Sequence, residues 1–274
     1  MSETDAVSRV DRTQEGAVAV LTVNNVKRRN AFSPEIRAEL VAHLNDIEAD
    51  DATRAIVITG AGGTFSAGGD LSTMQDMTAF EGRNRIRAGR QTVETMARGE
   101  KPIVAAVEGF AFGAGLSLAL LADWIVAADD AKFCASFGKV GLMGDMGLFW
   151  TLPQRVKAGK AKRMLMLADV VAADEALEIG LVEAVAPKSQ ALSAALQKAQ
   201  AFAEAAPLPN RLTREALADF PAGLDDMLAY ESQGQGILFT SADTTEGLNA
   251  FFEKRKPGKG ACKSSHGSGG MIQL

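Results

Sequence analysis

Cysteine and histidine are both scarce in this chain, two of each in 274 residues. Cys134 lies in an apolar stretch and Cys262 in a polar tail, so neither a disulfide framework nor a metal-ligand spacing can be read, and no metal is expected. A reducing, cytoplasmic setting is the simplest expectation. His43 falls on a predicted helix and His266 in the tail, and both read as surface residues. No apolar run approaches the roughly 20 residues that span a bilayer, and Met1 to Thr13 carries no apolar signal-peptide core, so no membrane partner is expected. Clustered Lys and Arg are missing too: a net charge of -5 argues against a nucleic-acid surface. There is no GxxxxGK[ST] loop, and Gly113-x-Gly115 has Leu118 where a third dinucleotide-binding glycine would stand.

What is present is enough apolar residue, 47%, to bury one sizeable core and a smaller appended unit. Val18 to Val23, Ala55 to Thr59, Ile103 to Val107 and Trp124 to Ala128 read as buried strands, and Leu181 to Val185 as another short one. Between the first two, Ser33-Pro34 opens a helix with Ile36, Leu40, Leu44 and Ile47 on one face. Ala158 to Ile179 reads as helical, and Asp243-x-x-Glu246 as a capping box. Near-continuous apolar strands alternating with helices predict an α/β fold with mostly parallel pairing. From about Ser189 the pattern is helical only. The expected organisation is a core over residues 1–195, a helical subdomain over 196–258, and a disordered Gly/Ser/Lys-rich tail over 259–274.

Two glycine-rich turns carry the chemistry: Gly60 to Leu71 (GAGGTFSAGGDL) and Glu108 to Leu118 (EGFAFGAGLSL), each between an apolar strand and a predicted helix. Glycine permits close approach of main chain to a ligand, and a helix N-terminus leaves unpaired N–H donors. Together they suggest two backbone donors aimed at one oxygen. Either turn alone would more simply be a strand-to-helix connection.

Taken in order, Asn30-Ala31-Phe32-Ser33, Phe65-Ser66-Ala67-Gly68-Gly69-Asp70-Leu71, Ala106-Val107-Glu108-Gly109 through Gly113-Ala114-Gly115, Gly141-Leu142, Leu152-Pro153, Ala176 to Val185 and Phe252 to Pro257 resemble the crotonase, or enoyl-CoA hydratase/isomerase, superfamily over about Val18 to Pro257. The resemblance implies a spiral of ββα units with a C-terminal helical trimerisation subdomain, a homo-trimer or hexamer, and an acyl-CoA thioester as substrate with no further cofactor. It also implies that the N–H groups of Gly69 and Ala114 hold the thioester oxygen. Lys27 and Arg28 would meet the phosphates of coenzyme A, main chain at Ser66, Ala67 and Gly68 its adenine, and Lys254 and Lys256 the nucleotide of a neighbouring subunit. The Phe usual after Pro257 is replaced by Gly258-Lys259.

The family's hydratases use two glutamates, and here the matching positions hold Ser117 and Phe137. Asp145 stands in a loop that, by the resemblance, would lie against the acyl chain, and an aspartate there resembles the family's double-bond isomerases. One carboxylate suffices to carry a proton from one carbon to another, and its neighbours Met143, Met146, Leu148, Phe149 and Trp150 should raise its pKa. The plainer role for Asp145 is a cap ahead of Leu148; a nucleophilic role would want a nearby base. Asp70, Glu108 and Asp123 read as structural, while Asp76, Glu81 and Glu94 leave room for a second acid. Hydratase activity and non-catalytic acyl-CoA binding are the alternative functions.

Overall fold

Strand β2 (Val18–Asn24), β3 (Ala55–Gly60), β4 (Ile103–Val107) and β6 (Trp124–Ala128) are almost wholly buried. Residues apolar on both faces need cover on both faces, which a parallel sheet flanked by helices supplies. The computed structural model describes residues 8–219 and 222–258. Its main sheet has the order β1-β2-β3-β4-β6-β9, with β1 (Arg9–Glu15) antiparallel to β2 at one edge and β9 (Ala184–Ala186) parallel to β6 at the other. A second sheet of β5 (Phe110–Phe112), β7 (Lys132–Cys134) and β8 (Val171–Ala172) carries the chain out of β4.

Helix α1 (Pro34–Glu48) starts as its sequence requires: Ser33 accepts the Ile36 N–H on its hydroxyl and Pro34 fills the first helical position. Its Ile36, Leu40, Leu44 and Ile47 are all buried, each burial stabilising by about 2 kcal/mol. A helix of this length is marginal alone, so packing rather than propensity holds it. Helix α2 (Ala79–Arg98) opens with a full capping box between Thr78 and Glu81. The remaining helices are α3 (Ala114–Leu120), α4 (Leu148–Arg155), α5 (Ala158–Leu167), α6 (Ala173–Glu178), α7 (Ala191–Glu204), α8 (Pro207–Ala218), α9 (Leu224–Leu238) and α10 (Ala242–Phe252).

Four sequence expectations change. The stretch Ala158 to Ile179 is two helices, because Ala168 turns to φ 52° and β8 intervenes. Leu181 and Val182 are buried in the core but outside the ladder, which begins at Ala184. The cap of α10 is Ser241, whose hydroxyl accepts the Thr244 N–H; Asp243 is buried and accepts the Leu208 N–H instead. His43 is half-buried and tied to the Val10 carbonyl at 3.0 Å.

Two compact units divide between Ala203 and Glu204. Helix α7 lies on the first unit's core through Ala191, Ala195, Ala199 and Ala203; the sequence division at 195 falls inside it. The second unit holds α8 to α10, with the Tyr230 hydroxyl donating to the Leu212 carbonyl. The expected tail 259–274, with Cys262 and His266, lies outside the described residues.

Candidate active site

The first glycine-rich turn is pinned by Asn30, buried at φ 56°. Its Nδ2 donates to the carbonyls of Ala61 (2.8 Å) and Thr64 (2.6 Å), while its Oδ1 accepts the Asn25 N–H. The Phe32 N–H donates to Gly68 O at 2.7 Å in a bridge pairing Phe32 with Gly69. The second turn is laid on the first by a Ser66–Ala111 bridge, in which Ser66 N–H donates to Phe110 O and Phe112 N–H to Ser66 O. Gly115 is needed where α3 abuts this bridge: a Cβ there would come within 2.6 Å of Ser66 O, a backbone atom that cannot step aside. Gly68 adopts φ +115° for the same junction.

The consequence is geometric. Ala114 is the first residue of α3, so its N–H has no partner within the helix, and the ladder at Phe32 leaves the Gly69 N–H off it. Among the described residues neither donor has an acceptor. Both residues line one cavity of about 230 Å³, together with Asp145.

Asp145 is placed by its backbone. Its carbonyl accepts from the Ser117 hydroxyl at 3.0 Å and the Leu148 N–H at 3.1 Å. The loop can turn back there because Met146 and Gly147 take φ 49° and 78°. The carboxyl group is not a cap: α4 is capped by Gly147, with no side-chain hydrogen bond. Its Oδ1 is buried without a hydrogen-bond partner. Burial pushes the Asp145 pKa above the usual carboxylate value, against the opposing pull of Arg85 and Arg37. The sequence expected Met143 and Phe149 around it, but both are exposed, at 72% and 51%. Met146 lines the cavity as expected, and the rest of the apolar wall comes from Phe32, Met74, Ile86 and Val93.

Ser117, at the first hydratase-glutamate position, is fully buried and spent on fastening the Asp145 loop; Phe137, at the second, is buried in the turn Ser136–Val140. Glu81 caps α2, Glu94 pairs with Arg90, and Asp76 lies outside the cavity lining, so Asp145 is the single carboxylate among its described lining residues. Glu108 and Asp123 are structural: Glu108 accepts the N–H groups of Ser189 and Ala191, and Asp123 that of Ile103.

Asp70 accepts from Ser72 and from Arg28 at 2.7 Å. Burial raises its pKa, but these hydrogen bonds win and hold it below the usual value. Arg28 is therefore committed to Asp70 and Ser72, although its guanidinium stays half exposed. Ser66 is buried, its N–H donating to the Phe110 carbonyl, its own carbonyl accepting from the Phe112 N–H and its hydroxyl donating to the Asn30 carbonyl, so it supports the turn. Gly68 is also buried, its N–H on the Ser66 hydroxyl, whereas Ala67 is exposed. Lys27 is exposed on the turn before Asn30. Lys254 and Lys256 are exposed in the second unit, after α10.

Three lining arginines were missed from sequence, Arg37 on α1 and Arg85 and Arg90 on α2. Arg37 lies three and four residues before the buried Leu40 and Val41, a charge inside an apolar stripe, and that was its available signal. Arg85 carried none.

A family model described as enoyl-CoA hydratase/isomerase matches residues 13–259. The chain is 35% identical over 245 residues to a short-chain-enoyl-CoA hydratase of Clostridium acetobutylicum, covering 89% of this chain and 94% of the relative. It is also 35% identical over 248 residues to a 1,2-epoxyphenylacetyl-CoA isomerase of Escherichia coli, covering 89% and 95%. A crystal structure of an enoyl-CoA hydratase from Polaromonas sp. JS666 superposes with a TM-score of 0.88 at 35% identity, over 91% of this chain and 99% of that one.

Proposed function

Since the chain belongs to the enoyl-CoA hydratase/isomerase family, we propose that within it this protein shifts a carbon–carbon double bond along an enoyl-CoA thioester. The thioester oxygen sits between the N–H groups of Gly69 and Ala114. Asp145 removes a proton from C2, the electrons pass into the carbonyl to give an enolate, and the same carboxyl returns a proton to C4. Two fixed donors in a site sheltered from water favour the enolate, each worth about 2.7–4 kcal/mol at the transition state. Only a proton and a double bond change place, so the step needs no metal or redox group. The observation that carries this reading is the buried, unpartnered Oδ1 of Asp145 in the cavity that Gly69 and Ala114 line.

Hydration is the second reading, favoured by similarity to a protein named as a short-chain hydratase. Against it stand Ser117 and Phe137, neither of which activates water as a carboxylate does. Incubation with crotonyl-CoA and with 3-hexenoyl-CoA separates the two. The isomerase reading expects 2-hexenoyl-CoA from the second and little 3-hydroxybutyryl-CoA from the first; rapid hydration of crotonyl-CoA with no double-bond shift overturns it.

For coenzyme A, Lys27 together with Lys254 and Lys256 remain the cations proposed to meet the phosphates. The second unit exposes Leu224 (73%), Phe239 (75%), Phe251 (75%) and Phe252 (76%), more large apolar surface than a solitary unit leaves in water. A homo-trimer, or two stacked trimers, is proposed to cover it. Sedimentation equilibrium is expected to give three or six chains; a stable monomer overturns this assembly.

A further inference from the structure

Beyond its single carboxylate, the cavity is lined by three arginines. Arg90 is accounted for, its Nε 2.7 Å from Glu94. Arg37 and Arg85 are not: both are half-buried, and neither forms an ion pair among the described residues. Their positions are nonetheless fixed. Arg37 Nη1 donates to the Arg85 carbonyl at 3.4 Å, and Arg85 Nη1 donates to the Thr73 hydroxyl at 2.8 Å. Arg85 is close enough to disfavour the charge on Arg37: desolvation, then Arg85, lowers the Arg37 pKa, with Asp145 and Glu35 opposing.

Two guanidinium groups face one carboxyl group, so the cavity keeps an excess positive charge whether Asp145 is ionised or neutral. Holding like charges together in a partly dry site is unfavourable unless an anion completes it. The rest of the wall, Phe32, Met74, Ile86, Val93 and Met146, suits hydrocarbon. A ligand complementary to both is a short apolar chain ending in a charge, and planar guanidinium forks match a carboxylate.

We propose that Arg37 and Arg85 bind a carboxylate at the far end of the acyl chain, making ω-carboxylated enoyl-CoA thioesters the preferred substrate class. This rests on the reading of the cavity as the acyl pocket. The same guanidinium chemistry would also suit a phosphate of coenzyme A, and the test separates the two sources.

Titration calorimetry with hexanoyl-CoA, hexanedioyl-CoA and free coenzyme A needs no turnover. The expected result is that hexanedioyl-CoA binds about tenfold to a hundredfold more tightly than hexanoyl-CoA. Arg37→Gln and Arg85→Gln should each shrink that ratio by about tenfold, whereas Arg87→Gln, an exposed α2 position outside the cavity lining, should keep it. Circular dichroism establishes that each variant is folded, and the wild-type ratio stands as a test if one is not. Equal affinity for the two thioesters overturns the proposal. So does a loss on Arg85→Gln that is equal for both thioesters and for free coenzyme A, which would assign the arginines to phosphate. A failed isomerase reading looks different: no double-bond shift in 3-hexenoyl-CoA, with the binding ratio intact.

Discussion

Asp145→Asn is expected to slow double-bond migration by about a hundredfold to ten-thousandfold in kcat, the usual share of a positioned proton carrier. The amide keeps the shape and the backbone bonds to Ser117 and Leu148, because those use the Asp145 carbonyl and not its side chain. Only proton transfer is removed. The same substitution should not lower the melting temperature near neutral pH. The folded-state pKa of Asp145 is raised by burial, with Arg85 and Arg37 opposing, so the folded state holds its proton to higher pH than the unfolded chain does. That linkage makes the ionised carboxylate a cost to stability once pH rises through the raised value, and the neutral amide relieves it. In the wild type, kcat/KM should fall as pH drops through a value above the ordinary 3.8 of an aspartate, because the base must be ionised to act. A variant that retains turnover, or that loses it only by unfolding, contradicts the assignment.

Ala114→Pro should cost about a hundredfold to a thousandfold in kcat, the effect of deleting one oxyanion donor. Proline is suited to this test because Ala114 is the first residue of α3, where the ring's fixed φ is tolerated and its missing N–H costs the helix nothing. The preceding residue is Gly113, whose lack of a Cβ relieves the clash that a proline imposes on its predecessor. Ala114→Gly restores the N–H and should keep turnover within a few-fold. Steady-state kinetics on 3-hexenoyl-CoA with both variants measures the contrast. Equal activity in the two would remove the Ala114 N–H from the chemistry.

The elements that could be read from sequence are those whose burial is one-sided in pattern or complete. Ile103–Val107 and Trp124–Ala128 are strands end to end because every residue within each of them is apolar. α1 was legible through Ser33, Pro34 and the stripe of Ile36, Leu40, Leu44 and Ile47, four of its five buried residues. β1 was not: it is an edge strand in which only Val10 is buried, so no alternation betrays it, and its pairing comes from β2. β5, β7 and β8 have three residues or fewer, too short for any periodicity. At the site, glycines announced the two turns, but the pin that holds the first, Asn30, acts through long-range bonds to Ala61 and Thr64 that spacing does not encode. Arg37 and Arg85 are 48 positions apart and meet only because α1 packs on α2. Read singly, each is an ordinary helix charge.

One labelling experiment examines the proton itself. 3-Hexenoyl-CoA carrying deuterium at C2 is turned over in ordinary water and the product analysed by nuclear magnetic resonance. A carboxyl that takes the label from C2 and returns it before full exchange with solvent leaves part of the deuterium at C4 of 2-hexenoyl-CoA, and Asp145→Asn abolishes that transfer. A product bearing a hydroxyl group at C3, or equal transfer by the Asp145→Asn protein, would contradict a single proton shuttle at Asp145.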